Sequence, residues 1–262
     1  MGVLNCTPDS FSDGGLYLTH AAAMQQAERM VLAGAKIIDV GGESTRPGAN
    51  AEAVSTEEEL RRVIPVIRDI KKQFDVKVSV DTSRAEVMQA AADVGVDLIN
   101  DVRAFRDPAA FKVALKLNIP LCIMHMQGEP KHMQAAPHYD DVLSEVKAFL
   151  SERVLAFRNA GFTQTIVIDP GFGFGKTLLD NLNLLLGLST FKSLGSPILV
   201  GVSRKTMIGQ ITGRPVEERL AGSLAAATLA MWQGADIIRV HDVAETLDAM
   251  KVVCAVKDLK HD

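Results

Sequence analysis

The sequence predicts an α/β fold, a closed (β/α)8 TIM barrel forming a single domain over residues 1–262. Three observations point there. Apolar, β-branched runs alternate with helical segments eight times. Each run is short and bounded by turn signals, as buried parallel strands are. A glycine-led frame also recurs: Gly34-Ala35-Lys36-Ile37-Ile38-Asp39-Val40 matches Gly234-Ala235-Asp236-Ile237-Ile238-Arg239-Val240, and Gly95-Val96-Asp97-Leu98-Ile99-Asn100 is a looser copy. In each copy the glycine reads as a helix stop leading directly into a strand.

In chain order the expected strands are residues 2–5, 36–40, 76–81, 97–101, 120–125, 165–169, 198–203 and 236–241. Between them, Ser55 and Glu58 fit a capping box ahead of an apolar stripe of Leu60, Val63, Ile64, Ile67 and Ile70, which Pro65 should bend. Pro215, Glu217 and Glu218 mark another helix start, with Leu220, Leu224, Thr228 and Met231 on one face. An open flavodoxin-like sheet is the alternative fold; eight strands without a polar edge strand count against it. No linker or low-complexity tract divides the chain.

Composition narrows the function. Of 262 residues, 47% are hydrophobic and only 5% aromatic, which suits an aliphatic barrel core. A formal net charge of −4 disfavours non-specific nucleic-acid binding, so any anionic ligand needs a local cluster of cations. Cys6, Cys122 and Cys254 are odd in number and share no metal spacing, which indicates a reducing cytoplasm. No run approaches the roughly 18 apolar residues of a membrane span, and no leader pattern stands at Met1.

In such a barrel, function sits at the C-terminal strand ends. Those ends read Asn5; Gly41-Gly42-Glu43; Asp81; Asn100-Asp101; His125; Asp169; Ser203-Arg204-Lys205; and Arg239-Val240-His241-Asp242. Eight polar ends on an aliphatic barrel describe a site. The run from Ile166 to Lys176 is the most informative, because a buried strand ends in Asp169 and then enters Pro170-Gly171-Phe172-Gly173-Phe174-Gly175. It fits neither nucleotide-loop pattern: Pro170 stands where the phosphate loop needs its first glycine, and Lys176 where the dinucleotide fingerprint needs its third. Asp169 is therefore read as an acid aimed into a pocket, with capping of the next turn as the plainer alternative. The polar, glycine-rich loops at residues 7–15 and 41–49 are candidate lids.

Taken together, these motifs resemble the dihydropteroate synthase family of pterin-binding barrels. The resemblance runs from Met1 to about Lys251. It rests on the stretches 1–15, 41–48, 80–82, 99–101, 124–128, 169–176, 201–205 and 238–242. It implies condensation of dihydropterin pyrophosphate with 4-aminobenzoate, assisted by Mg2+, in a homodimer of a family that sulfonamide inhibitors target. Family members usually carry a short segment before the first strand, closing the barrel bottom; its truncation here would bear on stability rather than chemistry.

The resemblance also assigns residues, and their chemistry suits the roles. A pterin edge presents two parallel N–H donors, which a buried carboxylate accepts together; Asp169 is the candidate. Asn100, Asp81, Lys205, Gly173 and Met124 would complete the pterin pocket, with Arg239 stacked on the ring. Asn5, Thr45, Arg239 and His241 would hold the pyrophosphate, and Asn5 would offer a hard oxygen to Mg2+. Thr45, Arg46, Pro47, Phe174, Ser203, Arg204 and Lys205 would form the aminobenzoate slot. Asp81, Lys205, Arg239 and His241 would act in catalysis. His125, His132 and His138 lack metal spacing; His125 is expected at the pocket floor beside Met124, and Lys176 with Lys71-Lys72 on the solvated surface. A pterin-binding methyltransferase serving a corrinoid protein is the competing enzyme, but it should lack Thr45-Arg46-Pro47-Gly48 and Ser203-Arg204-Lys205. A non-catalytic pterin carrier would need no pyrophosphate clamp.

Overall fold

Eight parallel strands form a barrel, each short enough for a buried strand to saturate its backbone against two neighbours. The computed structural model describes residues 1–6, 16–43, 54–128, 133 and 136–259, for 16–19 the backbone alone. The elements are β1 (Gly2–Asn5), α1 (Leu16–Leu32), β2 (Ile37–Gly41), α2 (Thr56–Gln73), β3 (Lys77–Asp81), α3 (Ala85–Asp93), β4 (Leu98–Asp101), α4 (Pro108–Leu117) and β5 (Leu121–Met124). They continue with α5 (Val142–Asn159), β6 (Ile166–Asp169), α6 (Leu178–Leu186), β7 (Leu199–Val200), α7 (Thr206–Thr212), α8 (Leu220–Trp232), β8 (Ile237–Ile238) and α9 (Val243–Asp258).

Strands β1 to β6 pair consecutively in one parallel sheet, and β7 pairs with β8. Single bridges close the ring, Ile168 to Ile198 on one side and Gly2 to Val240 on the other. At the second seam the Val3 N–H donates to the Val240 carbonyl and the Val240 N–H to the Met1 carbonyl, both at 2.9 Å. The expected runs 198–203 and 236–241 shrink to two residues each. Their ends are drawn off the ladder by side chains: Asp236 takes the Ile198 N–H at 2.8 Å, and Ser203 takes the His241 N–H at 3.2 Å. The repeated frame behaves as expected, since Gly34, Gly95 and Gly234 all hold positive φ at 93°, 89° and 105°.

Inside the barrel, Leu98, Cys122, Val167 and Leu199 pack with Met1 and Ile237 as an apolar plug. A larger aliphatic layer fills the space between strands and helices. Helix α2 starts on Ser55, whose hydroxyl accepts the Glu58 N–H at 3.1 Å. The reciprocal arm of the expected box is replaced, because the Glu58 carboxylate pairs with Arg61 and Arg62. The helix continues through Pro65 and buries Val63, Val66, Ile67 and Ile70, with Leu60 and Ile64 at the margin. Helix α8 departs further. It begins at Leu220 after a 3-10 turn, and its inner face is Ser223, Ala226, Ala227, Ala230 and Met231 rather than the leucine stripe. Close helix packing selects small residues there; a Cβ at Gly222 would come within 2.5 Å of Ile208.

Candidate functional site

The register of the strands builds the site. Asn5, Gly41, Asp81 and Asn100 are successive cross-strand partners, a polar row around the C-terminal rim. One further step along β6 brings Asp169 opposite Met124. Met124 and Phe174 are buried together with Val102, Met126 and Met133, giving one wall an apolar lining.

Arg239 is the hub. Its Nε donates to Asp39 at 2.6 Å and its Nη2 to Asp81 at 2.9 Å. Asn100 Nδ2 reaches the same Asp39 oxygen at 3.3 Å. Burial alone would lower the Arg239 pKa, but Asp39 and Asp81 together hold it above its ordinary value. Burial and then the Asp39 charge push Asp81 up to about 7, against the pull of Arg239. The planar guanidinium is thus fixed by two carboxylates.

Asp169 ends β6 buried, its Oδ1 accepting the Gly171 N–H at 2.8 Å. The plainer sequence reading of this residue therefore holds, as the carboxylate shapes the turn that follows the strand. Burial raises its pKa, while Lys205, the Gly171 N–H and Arg239 oppose the rise. Gly171 has φ 73° and lies so close to β5 that an added Cβ would fall on the His125 carbonyl oxygen. Lys205 donates to the Phe172 carbonyl, and its Nζ lies 4.4 Å from the centroid of the Phe174 ring. Burial lowers Lys205 to about 8, with Asp169 resisting. Gly173 lies against it, with a would-be Cβ 3.2 Å from Lys205 Cδ.

Across the mouth, Ser203 Oγ lies 3.1 Å from His241 Nδ1. Arg204, at φ 57°, turns its guanidinium onto Asp242 at 2.9 and 2.5 Å. Asn5 Oδ1 faces Gly41 beside the Asp81 stem. A neutral amide oxygen next to a carboxylate suits magnesium, which needs only one or two protein oxygens when it arrives on a substrate phosphate. Among the described residues, no three His, Cys, Asp or Glu side chains form a metal cluster.

The arrangement joins a buried acid, a clamped guanidinium and a lysine over an aromatic ring, all on the rim of one barrel. The pterin binding enzyme family matches residues 1–241 of the chain. The dihydropteroate synthase of Escherichia coli strain K12 is 53% identical over 263 residues, covering 100% of this chain and 93% of that protein. A dihydropteroate synthase of Yersinia pestis, solved with a sulfonamide drug, superposes with TM-score 0.92 at 49% identity, covering 98% and 93%. That of Xanthomonas albilineans, solved with 7,8-dihydropteroate, gives 0.88 at 48%, covering 98% and 92%. The chain belongs to the dihydropteroate synthase family of pterin binding enzymes.

For a dihydropteroate synthase barrel, the sequence reading named most of the rim but misjudged four positions. Asp39 was missed: it is wholly buried in β2 and its partner Arg239 is 200 residues away. A charge inside an Ile-Ile-Asp-Val strand was the available signal, since such a group needs a partner. Asp101 faces away from the mouth, accepting from Ser83, the Arg103 N–H and the Phe105 N–H. His125 is not at the pocket floor; its ring stands edge-on to Phe149 at 5.0 Å, outside the barrel wall. Lys176 is not on the surface but 3% exposed. Thr45, Arg46 and Pro47, the lid residues 7–15 and 44–49, and His132 lie outside the described residues. His138 is exposed beside Asp140.

Proposed function

We propose that this rim condenses (7,8-dihydropterin-6-yl)methyl diphosphate with 4-aminobenzoate, giving 7,8-dihydropteroate and pyrophosphate. The observation that carries the reading is the buried Asp169 carboxylate on the same rim as Asn100, Lys205 and a guanidinium clamped by Asp39 and Asp81. Asp169 accepts the two N–H donors of the pterin edge. Asn100 and Asp81 meet the rest of the ring, Met124 and Gly173 border it, and Lys205 donates to its carbonyl. Arg239 covers the ring face and, with Asn5, Thr45 and His241, holds the diphosphate. Asn5 would hold Mg2+, which when bound neutralises charge on the leaving pyrophosphate.

As the C–O bond to diphosphate breaks, the pterin methylene gains positive charge, which the Asp81 carboxylate favours. The aniline nitrogen supplies its lone pair to that carbon, a C–N bond forms, and one amine proton leaves to solvent. A neutral aniline needs no strong base for this step. Phe174, Ser203, Arg204 and Lys205, with Thr45, Arg46 and Pro47, form the aminobenzoate slot, which sulfonamides enter as mimics. Because the Arg204 guanidinium is engaged by Asp242 and its N–H by Ser223, Ser203 is the group offered to the carboxylate.

The protein works in the cytoplasm as a homodimer. Three free cysteines support the first point. Exposed Leu229 and Trp232 on α8 with Val252 and Val256 on α9 support the second. No helix among the described residues is long and apolar enough to cross a membrane. Turnover of purified protein with both substrates, with and without Mg2+, tests the activity; no dihydropteroate formed in the presence of Mg2+ would sink it. Light scattering tests the dimer.

A further inference from the structure

A buried ammonium lies beneath the glycine loop. Lys176 Nζ donates to the carbonyls of Gly171 at 2.9 Å and Phe174 at 3.1 Å, and lies 2.9 Å from His125 Nδ1. Three partners match the three N–H bonds of an ammonium. Burial, then the Lys176 charge, push His125 down to about 2, so its ring stays neutral and can accept. Tyr139 donates to the Gly175 carbonyl at 2.8 Å, and Asn181 takes the Gly173 N–H at 2.7 Å. The loop is thus tied from beneath by Lys176 and from its outer side by Tyr139 and Asn181.

What the loop carries on its rim side is the seat of Lys205, namely the Phe172 carbonyl and the Phe174 ring. Asp169 is secured differently. Its backbone lies in the strand ladder, where its carbonyl accepts the His125 N–H at 2.9 Å. Removing Lys176 therefore loosens the loop while the strand-end acid keeps its backbone in the ladder and risks only the Gly171 N–H.

We propose that Lys176 is a positioning residue: by holding the Gly171 and Phe174 carbonyls against His125 it sets Phe174 and Lys205, and so governs use of the second, aromatic-amine substrate. The inference rests on the function proposed above. It concerns a side chain that touches neither substrate and acts through the loop above it.

Lys176→Met keeps the aliphatic stem and removes the donors. Measured below about pH 7, where Lys176 keeps its proton, the KM for 4-aminobenzoate should rise about tenfold, as expected on losing hydrogen bonds made by a charged group. Calorimetric affinity for the dihydropterin diphosphate should fall less, by about threefold, because Asp169 and Asn100 remain on their strands and only the contacts of Lys205 and Gly173 loosen. A double-mutant cycle separates positioning from general weakening. Added to Phe174→Ala, Lys176→Met should raise that KM by no more than about twofold, whereas a second full rise overturns the proposal. Hydrogen exchange gives a readout that needs no turnover. The Gly173 and Phe174 amides should lose protection in Lys176→Met while Ile168 keeps it; unchanged protection overturns the cage. If the methionine variant does not fold, Lys176→Gln, which keeps two donors, is measured the same way. Wild-type protein without turnover would remove the proposed function together with this role, while Lys176→Met turning over at the wild-type KM would remove the role alone.

Discussion

The two ends of this barrel are built from the same strands and differ by a single inward step. Leu98 lies in the plug and Asn100 in the site; Val167 in the plug and Asp169 in the site; Ile237 in the plug and Arg239 in the site. Two residues along a strand are about 6.6 Å. Over that distance the lining changes from packed aliphatic side chains to a network of carboxylates, amide and guanidinium. The plug holds by shape, and any well-fitting apolar side chain serves it. The rim holds by pairing, and each member lost leaves another stranded. Stability and chemistry are thus separable by position within a single strand.

Exchanging the ends by mutation gives the sharpest contrast. Asp169→Asn should lower dihydropterin affinity by about 3 kcal/mol or more, since a donor then faces donors and a charge-assisted pair is lost. Its melting temperature should hold or rise, because burial already disfavours the ionised carboxylate. Near wild-type affinity by calorimetry would take Asp169 out of the pocket. On the same inward row, Leu98→Ala should do the reverse, costing roughly 2–4 kcal/mol of unfolding free energy with little change in KM. A large KM change at unaltered stability would mean that the plug and rim are not separate.

Smaller effects test the rim more finely. His241→Ala should weaken the diphosphate ester by about 1 kcal/mol, the usual worth of one hydrogen bond, and leave a bare pterin unaffected. Equal loss for both ligands would move His241 out of the anion clamp. The smallest effect is a pH trend. Burial lowers Lys176 from 10.5 to about 7, with Asp169 opposing, Lys205 reinforcing and Asp180 opposing. Between those values the unfolded chain binds the extra proton, so stability rises with pH across that window. Wild type should therefore gain on Lys176→Met as melts move from neutral toward pH 10, and a flat difference would show that Lys176 is not buried as described.

Strand ends were legible where the polar residue closing an apolar run falls on the inward-facing alternation, whereas Asp101 and His125, one residue out of that phase, turn away from the mouth. That alternation brings Asn5, Asp81, Asn100, Asp169 and Arg239 to the rim. Asp39 was not legible, because what licenses a charge in mid-strand is a cation 200 positions later, which local pattern does not contain. Lys176 failed for the opposite reason. Its neighbours Gly175 and Thr177 look like a surface turn, and only the folding of the loop back onto His125 buries the ammonium. In α8 the leucines suggested the inner face, yet the space left by α7 admits only small side chains. Strand length in β7 and β8 was overstated because Ser203 and Asp236 compete for the ladder through their side chains.

The two single-bridge seams have a mechanical meaning. They divide the circumference into a six-strand arc, which carries Asp39, Asp81, Asn100 and Asp169, and a two-strand staple followed by Ser203, Lys205, Arg239 and His241. The carboxylates that pair with Arg239 ride on the arc, and Arg239 itself on the staple. The Arg239 bridges to Asp39 and Asp81 act as a clasp that ties the staple to the arc.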